Sequence, residues 1–311
     1  MLKIDYESDD FPPGTVANGS ATLSVNWDEL LWAAITIGRP NLHYVFMHGE
    51  ASYYETIFRL SLMRMSLQQE RPSGGRLLMT EAFKNMDPSE KGAINYFLGM
   101  VFCKLFSAKL LDTPWLLHLD VFRDDLEPEL LSGHSRPDLV GHQCGTDEWH
   151  SFESKGRIKS PSEQTKRDAK SQADRLISVG GKNCSLHVAS FSYFRKSAIA
   201  YYWRDPITAN DQPIKLPAAR NRWRHYYAPV LSLYFAAREK PDEEGYPAFH
   251  YMEDADVSVA IHPKIERMLR EQNWEQAREI ATLLRSELLE SGYQPDGVAI
   301  RAGESWYRPF K

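Results

Sequence analysis

Apolar residues recur at helical intervals through much of the first hundred residues. The spacing predicts helices over residues 27–38 and 51–69, and the Arg-Pro-Ser-Gly-Gly sequence at residues 71–75 ends the second of them. The chain before its central part is therefore expected to be mainly helical. We interpret residues 1–75 as a helical N-terminal extension.

A longer helix follows a clear start signal. Asp87 can cap it, Pro88 suits the first helical position, and Glu90 stands three residues after the cap. Apolar residues continue at helical spacing to about Leu111, and Pro114 ends the run. The pattern predicts a buried helix.

Short strand-like segments surround one further helix in the middle of the chain. The helix is expected between a capping pattern at Ser160 and a stop at Gly180. The predicted strands cover residues 115–122, 139–140, 150–152, 185–194 and 198–203. Between about Pro88 and Phe194 the predicted order is helix, three strands, helix and strand.

The helix after Ser160 carries one lysine that its apolar face does not explain. That face consists of Ala169, Ala173, Leu176 and Ile177. Lys166 falls within it, and Lys170 and Gln172 lie on its two flanks. A lysine on a packed face either extends outward or reaches a buried anion.

Two carboxylates and a lysine lie within one predicted hairpin. Side chains two residues apart in a strand point to the same face, so Glu153 and Lys155 share a side. If the hairpin pairs Asp138 beside Glu153, the two carboxylates repel each other unless a cation lies between them. Carboxylate oxygens suit Mg²⁺ or Mn²⁺. The pattern predicts a divalent metal site.

Pro137-Asp138 followed by Glu153-Ser154-Lys155 resembles the motif of the PD-(D/E)xK, or restriction-endonuclease-like, nuclease superfamily. The core of that family runs helix, three antiparallel strands, helix and strand, which the predicted elements can follow over about a third of the chain. The resemblance implies a mixed α/β fold. Its restriction-endonuclease-like core would be a central mixed β-sheet flanked by helices, with helical N- and C-terminal additions.

The resemblance also implies metal-assisted hydrolysis of a phosphodiester. Asp138, Glu153 and the backbone carbonyl of Ser154 would hold one or two Mg²⁺ (or Mn²⁺) ions. Lys155 would orient the attacking water and stabilise charge on the phosphate. The phosphate-facing rim would consist of Arg157, Lys159, Lys166 and Lys170, with Gln172 as a polar contact.

The motif residues also have ordinary structural explanations. Asp138 can cap a turn after Pro137, and Glu153 with Lys155 can form a solvent-facing strand pair. Their occurrence together and in this order favours the metal site.

Three further residues could join the site. Glu90 is a candidate third carboxylate, although its position in the capping pattern already explains it. His118 and Asp120 alternate onto one face of the first predicted strand and could approach the metal. A hydrogen-bonded strand histidine is the commoner case.

The last third of the chain is less regular. Its basic and aromatic residues can contact phosphates and stack on bases, or can form a solvated helix face. They are Lys215, Arg220, Arg222, Trp223, Arg224, Tyr226 and Tyr227. Residues 262–291 predict two amphipathic helices split near Asn273, and residues 298–301 predict a last strand. We therefore expect a nuclease-like core over residues 76–235 and a C-terminal helical subdomain with a terminal strand over 236–311.

Composition limits the class of protein. The net charge of −5 and the pI near 6.1 require any basic nucleic-acid surface to be local. The three cysteines are far apart and show none of the usual zinc spacings, which suits a reducing cytosol. No signal core is present, and no apolar run approaches the roughly 20 residues that span a bilayer. We expect a cytoplasmic protein without a membrane segment.

Two classes of function remain open. One is an active Mg²⁺-dependent nuclease, with a DNA endonuclease favoured and an RNase as the alternative within the class. The other is a catalytically inactive nuclease-fold protein that binds nucleic acid or serves in assembly. The intact Asp, Glu and Lys set favours the first class. Either class is compatible with a homodimer or a partner subunit.

Overall fold

The computed structural model describes residues 1–38, 50–70, 75–125, 135–206, 213–218, 222–239, 249–308 and 310. The strands are β1 (Leu2–Asp9), β2 (Gly19–Val25), β3 (Leu67–Gln69), β4 (Leu77–Met79), β5 (Trp115–His118), β6 (Leu139–His142), β7 (Trp149–Gly156), β8 (Leu176–Val179), β9 (Lys182–Arg195), β10 (Ala198–Arg204), β11 (Ile214–Leu216), β12 (Arg238–Glu239), β13 (His250–Met252), β14 (Val257–Ile261) and β15 (Val298–Ala302). The helices are α1 (Trp27–Thr36), α2 (Glu50–Ser66), α3 (Glu81–Asn85), α4 (Pro88–Leu110), α5 (Glu163–Ala173), α6 (Arg222–Ala236), α7 (Pro263–Arg270), α8 (Trp274–Leu283), α9 (Arg285–Glu290) and α10 (Glu304–Tyr307), with 3-10 turns at Leu119–Asp125 and Glu253–Ala255.

A large mixed β-sheet forms the centre of the molecule. Its main path is β2-β1-β10-β9-β7-β6-β5. β7 is parallel to β9 and β1 is parallel to β10, whereas the other neighbours along the path are antiparallel. Helices cover the sheet, which confirms the predicted mixed α/β class.

Two helices cover opposite faces of β7. Ser151 donates a hydrogen bond to the carbonyl of Ala173 at the end of α5, at 2.6 Å. Gly156 lies against the backbone of Asn95 in α4. Residues 151 and 156 of one strand point to opposite faces. The central strand is therefore held between α4 and α5.

The order of elements between α4 and β9 is the predicted one. α4 is followed by the antiparallel strands β5, β6 and β7, then by α5, and then by β9 beside β7. α4 begins as expected, because the Asp87 carboxylate accepts a hydrogen bond from the Ser89 amide and Pro88 takes the first helical position. One strand, β8, was not expected.

Helix α5 is shorter than predicted at both ends. Its cap is Ser162, which accepts a hydrogen bond from the Thr165 amide, and not Ser160. The helix ends at Ala173, so the last two apolar residues of the predicted stripe, Leu176 and Ile177, belong to β8. A helical spacing had continued by chance into a strand.

Gly180 and Gly181 connect β8 to β9 and do not end a helix. Both have positive φ, +59° and +78°, as a two-residue hairpin turn of the primed type requires. The helix-stop interpretation of this pair is wrong for that reason.

The helical N-terminal prediction holds for α1 and for most of α2 but fails for the first 25 residues. Residues 2–9 form β1, in which Leu2 and Ile4 are buried and Lys3 is exposed. This alternation with period two is that of a strand. β1 joins the main sheet beside β10, with β2 on its other side.

The C-terminal segment contains a second sheet in addition to its helices. The four antiparallel strands run β12-β13-β14-β15, so the predicted last strand, found at Val298–Ala302, is an edge strand with three companions. The predicted helical pair is confirmed as α7 and α8, with α9 after a further break. A continuous apolar cluster extends from Leu2 to Trp306 and joins all three predicted segments, whose boundaries stay a prediction.

The aromatic residues of the basic segment are part of the core. Trp223, Tyr226 and Tyr227 in α6 are at most 1% exposed, so they cannot stack on a bound base. Neither interpretation of this segment, a nucleic-acid contact or a solvated face, fits these three rings. Arg220 lies outside the described residues.

Helix α4 is long and apolar enough to cross a membrane, and 72% of the relevant window is buried in the fold. Such burial is that of a core helix in a soluble protein. The three cysteines are free thiols and are buried. A cytoplasmic location stays a prediction.

Candidate active site

The strand register places Asp138 beside Glu153. Leu139 of β6 pairs with Phe152 of β7, and one further antiparallel step brings Asp138 opposite Glu153. The Ser154 amide donates a hydrogen bond to Asp138 Oδ2 at 3.0 Å, which fixes this carboxylate at the mouth of the hairpin. The structure therefore brings together the residues that the motif had suggested.

Lys155 completes the group on the same face of β7. Its Nζ forms an ion pair with Glu153 Oε1. Burial lowers the pKa of Lys155, but the charge of Glu153 and the hydrogen bond to it outweigh that effect and raise the pKa above its usual range. Lys155 therefore carries a positive charge at neutral pH.

Glu153 lies in an environment that disfavours its charge. Its side chain is 2% exposed. Burial, followed by the charge of Asp138, raises the pKa of Glu153 to about 8, although Lys155 acts in the opposite direction. Burial also raises the pKa of Asp138, against the lowering effect of Lys155. One lysine does not neutralise two carboxylates.

A divalent ion fits this pair of carboxylates. Glu153 Oε2 is buried and makes no hydrogen bond in the described part of the chain, although Asp138 lies close to it. A buried, unsatisfied carboxylate oxygen is costly unless a cation or donor reaches it. The ligand count is small, because no group of three or more His, Cys, Asp or Glu side chains suited to a metal occurs in the described ranges.

The end of β7 is fixed by close contact with α4. An added Cβ at Gly156 would lie 1.6 Å from the carbonyl oxygen of Asn95. One turn further along α4, an added Cβ at Gly99 would lie 2.7 Å from the Gly156 nitrogen. Only glycines allow the two backbones to approach this closely. Lys155, the residue before Gly156, is thereby held in place.

Asp120 lies near the site, but not in the way predicted. β5 ends at His118, and Asp120 belongs to the 3-10 turn after it, so the two do not alternate along one strand. Asp120 forms an ion pair with Arg136 at 2.8 Å, and its charge contributes to the raised pKa of Asp138. Glu90 is exposed in the first turn of α4.

The predicted phosphate rim divides into two parts. Arg157 and Lys159 are exposed just after β7, and the charge of Arg157 acts on Lys155. Lys166 and Lys170 instead contact groups on α5 and on the sheet. The Gln172 Oε1 atom is buried and has no hydrogen-bond partner among the described residues.

Lys170 is buried in a separate ionic cluster. Its Nζ donates to Asp174 at 2.5 Å, to Asp205 at 2.7 Å and to the His187 carbonyl at 2.7 Å. An ammonium group has three donors, and these contacts use all of them. They disfavour a phosphate contact at Lys170.

Lys166 is held by its own neighbours. Its Nζ lies 2.6 Å from Glu163 Oε1 and 3.8 Å from the centre of the Tyr202 ring. The charge is therefore balanced locally by an ion pair and a cation–π contact.

We expect Lys166→Ala to leave the salt dependence of nucleic-acid binding unchanged. Removal of a residue that contacts a phosphate reduces the slope of log affinity against log salt by roughly one contact. The exposed Arg157 offers the matched variant, and Arg157→Ala should reduce the slope in this way. Both slopes are measured with a short duplex in Ca²⁺, which suppresses cleavage. A reduced slope in Lys166→Ala would show that this lysine contacts a phosphate after all.

No protein-family model, curated protein or solved structure matches the chain.

Proposed function

We propose that the protein is a metal-dependent nuclease of the PD-(D/E)xK type, with a restriction-endonuclease-like core and with DNA as its favoured substrate. The observation that carries the proposal is the register that sets Asp138 opposite Glu153, with Lys155 on the same face. The order of α4, β5, β6, β7, α5 and β9 supports it. Acid–base pairs of ordinary surface strands are solvent-exposed, whereas Glu153 is buried.

The carboxylates of Asp138 and Glu153, with the carbonyl of Ser154, would hold Mg²⁺ or Mn²⁺. Such an ion lowers the pKa of a bound water and neutralises charge that develops on the phosphate. The unsatisfied Oε2 of Glu153 and the raised pKa values of both carboxylates fit this role, because each is relieved by a nearby positive charge.

Lys155 would orient the attacking water and stabilise the negative charge that grows on the phosphate oxygens. Its ammonium group is already charged and half exposed, so it needs no proton transfer before it acts. The exposed Arg157 and Lys159 would hold the neighbouring phosphates of the strand.

We expect Lys155→Ala to lower cleavage by at least about a hundredfold while metal binding persists. That is the scale at which one transition-state electrostatic contact contributes to catalysis. Lys155→Arg should not restore activity, because a planar guanidinium cannot replace a compact ammonium. Lys182→Ala is the matched control, since it also removes a lysine paired with an acid, Asp147, but at an exposed position.

The assay incubates the protein with plasmid, linear and single-stranded DNA and with RNA, in Mg²⁺, Mn²⁺ or chelator. Cleavage that requires the metal and is lost in Lys155→Ala supports the proposal. Cleavage of RNA alone would assign an RNase. Absence of cleavage from every substrate, with nucleic-acid binding retained, would favour the inactive binding or assembly protein.

A further inference from the structure

A groove beside the candidate active site has no role in the function proposed so far. It lies between α2 and α4, has a volume of about 470 Å³ and reaches the end of β5. Aromatic and aliphatic side chains form most of its walls. Its residues include Phe58, Arg59, Tyr96, Phe97 and His118.

The groove carries exposed aromatic rings. Phe58 is 60% exposed and Tyr96 is 53% exposed, and Tyr54, one helical turn before Phe58, is 61% exposed. Grouped exposed rings of this size on a soluble protein usually mark a binding surface. Flat rings that keep their faces accessible are platforms on which unpaired bases stack.

Polar groups in the groove suit the edge of a base. His118 is 8% exposed, and its Nε2 has no hydrogen-bond partner in the described part of the chain. Burial and the charge of Arg59 lower the pKa of His118 to about 4, so the ring is neutral. Arg59 itself is fixed by the Gly38 carbonyl at 2.8 Å and by Glu55 at 2.7 Å. An aliphatic side chain in the groove would leave the imidazole nitrogen unsatisfied.

Tyr96 connects the groove to the carboxylates. Its neighbour in α4, Asn95, touches Gly156 at the end of β7. Burial, and then the charges of Asp138, Asp120 and Glu153, raise the pKa of Tyr96 to about 12. This part of α4 therefore contacts the strand that carries Glu153 and Lys155 through Asn95, and it lines the groove through Tyr96.

We propose that the groove receives an unpaired base of the DNA strand that is cut, stacked against Phe58 and Tyr96 with its polar edge at His118 Nε2. This inference rests on the proposed nuclease function and deepens it. The preferred substrate is then single-stranded DNA, or a duplex end or junction that supplies an unpaired base. A continuous duplex keeps its bases stacked and cannot fill the groove without unpairing one.

The test measures binding of the full chain to a single-stranded oligonucleotide that carries 2-aminopurine, and to the matching duplex, in chelator. Phe58→Ala and Tyr96→Ala should each weaken single-strand binding by about 5- to 150-fold, the range for loss of one base–aromatic stack. Duplex affinity should change by less than about twofold, within the usual effect of a surface substitution. Phe235→Ala, which removes a ring that is 48% exposed and does not line the groove, is the control.

Tyr96→Phe refines the test, because it keeps the ring and should keep most of the affinity. Equal loss for single strand and duplex, or no loss for either, would overturn the inference. So would loss confined to an RNA strand, or a change of oligomeric mass in Phe58→Ala, which would show that a second copy covers the groove. Because binding is measured without metal, failure of the groove is distinct from failure of the nuclease. The latter would appear as absence of cleavage by a wild-type protein that still binds the single strand through these rings.

Discussion

Replacement of Glu153 by glutamine is expected to abolish divalent-ion binding and to lower cleavage by at least about a thousandfold. Loss of the ion removes both water activation and charge neutralisation, which together are worth about 4 kcal/mol or more. Glutamine keeps the shape of the side chain in its buried position, so the fold should persist. Asp138→Asn should behave in the same way. Calorimetric titration with Mn²⁺ measures the binding, and unchanged affinity in both variants would reject the metal assignment.

The same variant should change how the stability of the metal-free protein depends on pH. Burial and Asp138 raise the pKa of Glu153 from its ordinary value of 4.5 to about 8 in the folded state. Between these values the folded chain binds more protons than the unfolded chain, so the free energy of unfolding falls as pH rises. Glu153→Gln lacks this decrease. Between pH 5 and pH 8.5 its free energy of unfolding should therefore rise relative to that of the wild type, by on the order of a few kcal/mol at most.

Urea unfolding in chelator at pH 5 and pH 8.5 measures this effect. The difference between wild type and Glu153→Gln is the decisive quantity, because other groups titrate in both proteins alike. A difference that is the same at the two pH values would show that Glu153 ionises normally. Addition of Mn²⁺ should reduce the difference, since the ion stabilises only the wild type.

Gly156→Ala is expected to cost about 3 kcal/mol or more of folding stability. The added methyl group would lie 1.6 Å from the Asn95 carbonyl oxygen. This oxygen belongs to the backbone of α4, so it cannot rotate away as a flexible side chain would. The backbone of Gly156 does not have positive φ, so the loss would come from overpacking and not from a forbidden conformation.

Gly92→Ala in α4, the helix that Gly156 contacts, is the control for Gly156→Ala. A Cβ at Gly92 meets no atom within 4 Å, and alanine favours a helix, so this variant should be neutral or slightly more stable. Thermal and urea unfolding compare the two variants. Should Gly156→Ala unfold like the wild type, α4 and β7 would have to be further apart than the structure shows.

The candidate site could be predicted because its determinants are local. Alternation in a strand puts Glu153 and Lys155 on one face, and a short antiparallel hairpin limits where Asp138 can lie. Capping residues likewise predicted the start of α4 at Asp87. These features depend on residues within a few positions of each other, or across a single turn.

The end of α5 and the contacts of its lysines could not be predicted, because they depend on residues in distant parts of the chain. The apolar spacing after Ser160 fits a helix as far as Ile177, and only the pairing of β8 with β9 and β11 ends it earlier. A helical wheel predicts the directions in which Lys166 and Lys170 point, but not the groups that they contact. In the structure Lys166 contacts Tyr202 and Lys170 contacts Asp205. Pattern cannot identify partners that lie more than thirty residues away.

The buried charge of Lys104 could not be predicted from the sequence either. Lys104 stands within the apolar run of α4 and is fully buried, and its Nζ lies 2.7 Å from Tyr226 Oη. Tyr226 in turn donates to Asp296 Oδ2 at 2.6 Å. The sequence pattern predicts that a lysine in an apolar helix is exposed, unless its distant carboxylate partner is known.

The parallel pairing of β1 with β10 has a consequence for synthesis of the chain on the ribosome. Asp5 is paired with Ala200, so 195 residues separate the partners. At the usual rates of translation, roughly 10 to 40 s pass between the appearance of one strand and that of the other. During this time the edge of β1 that will pair with β10 is an open row of backbone donors and acceptors, a template for pairing with other nascent chains. A chaperone that shields the first strand would therefore affect the yield of folded protein more than its final stability.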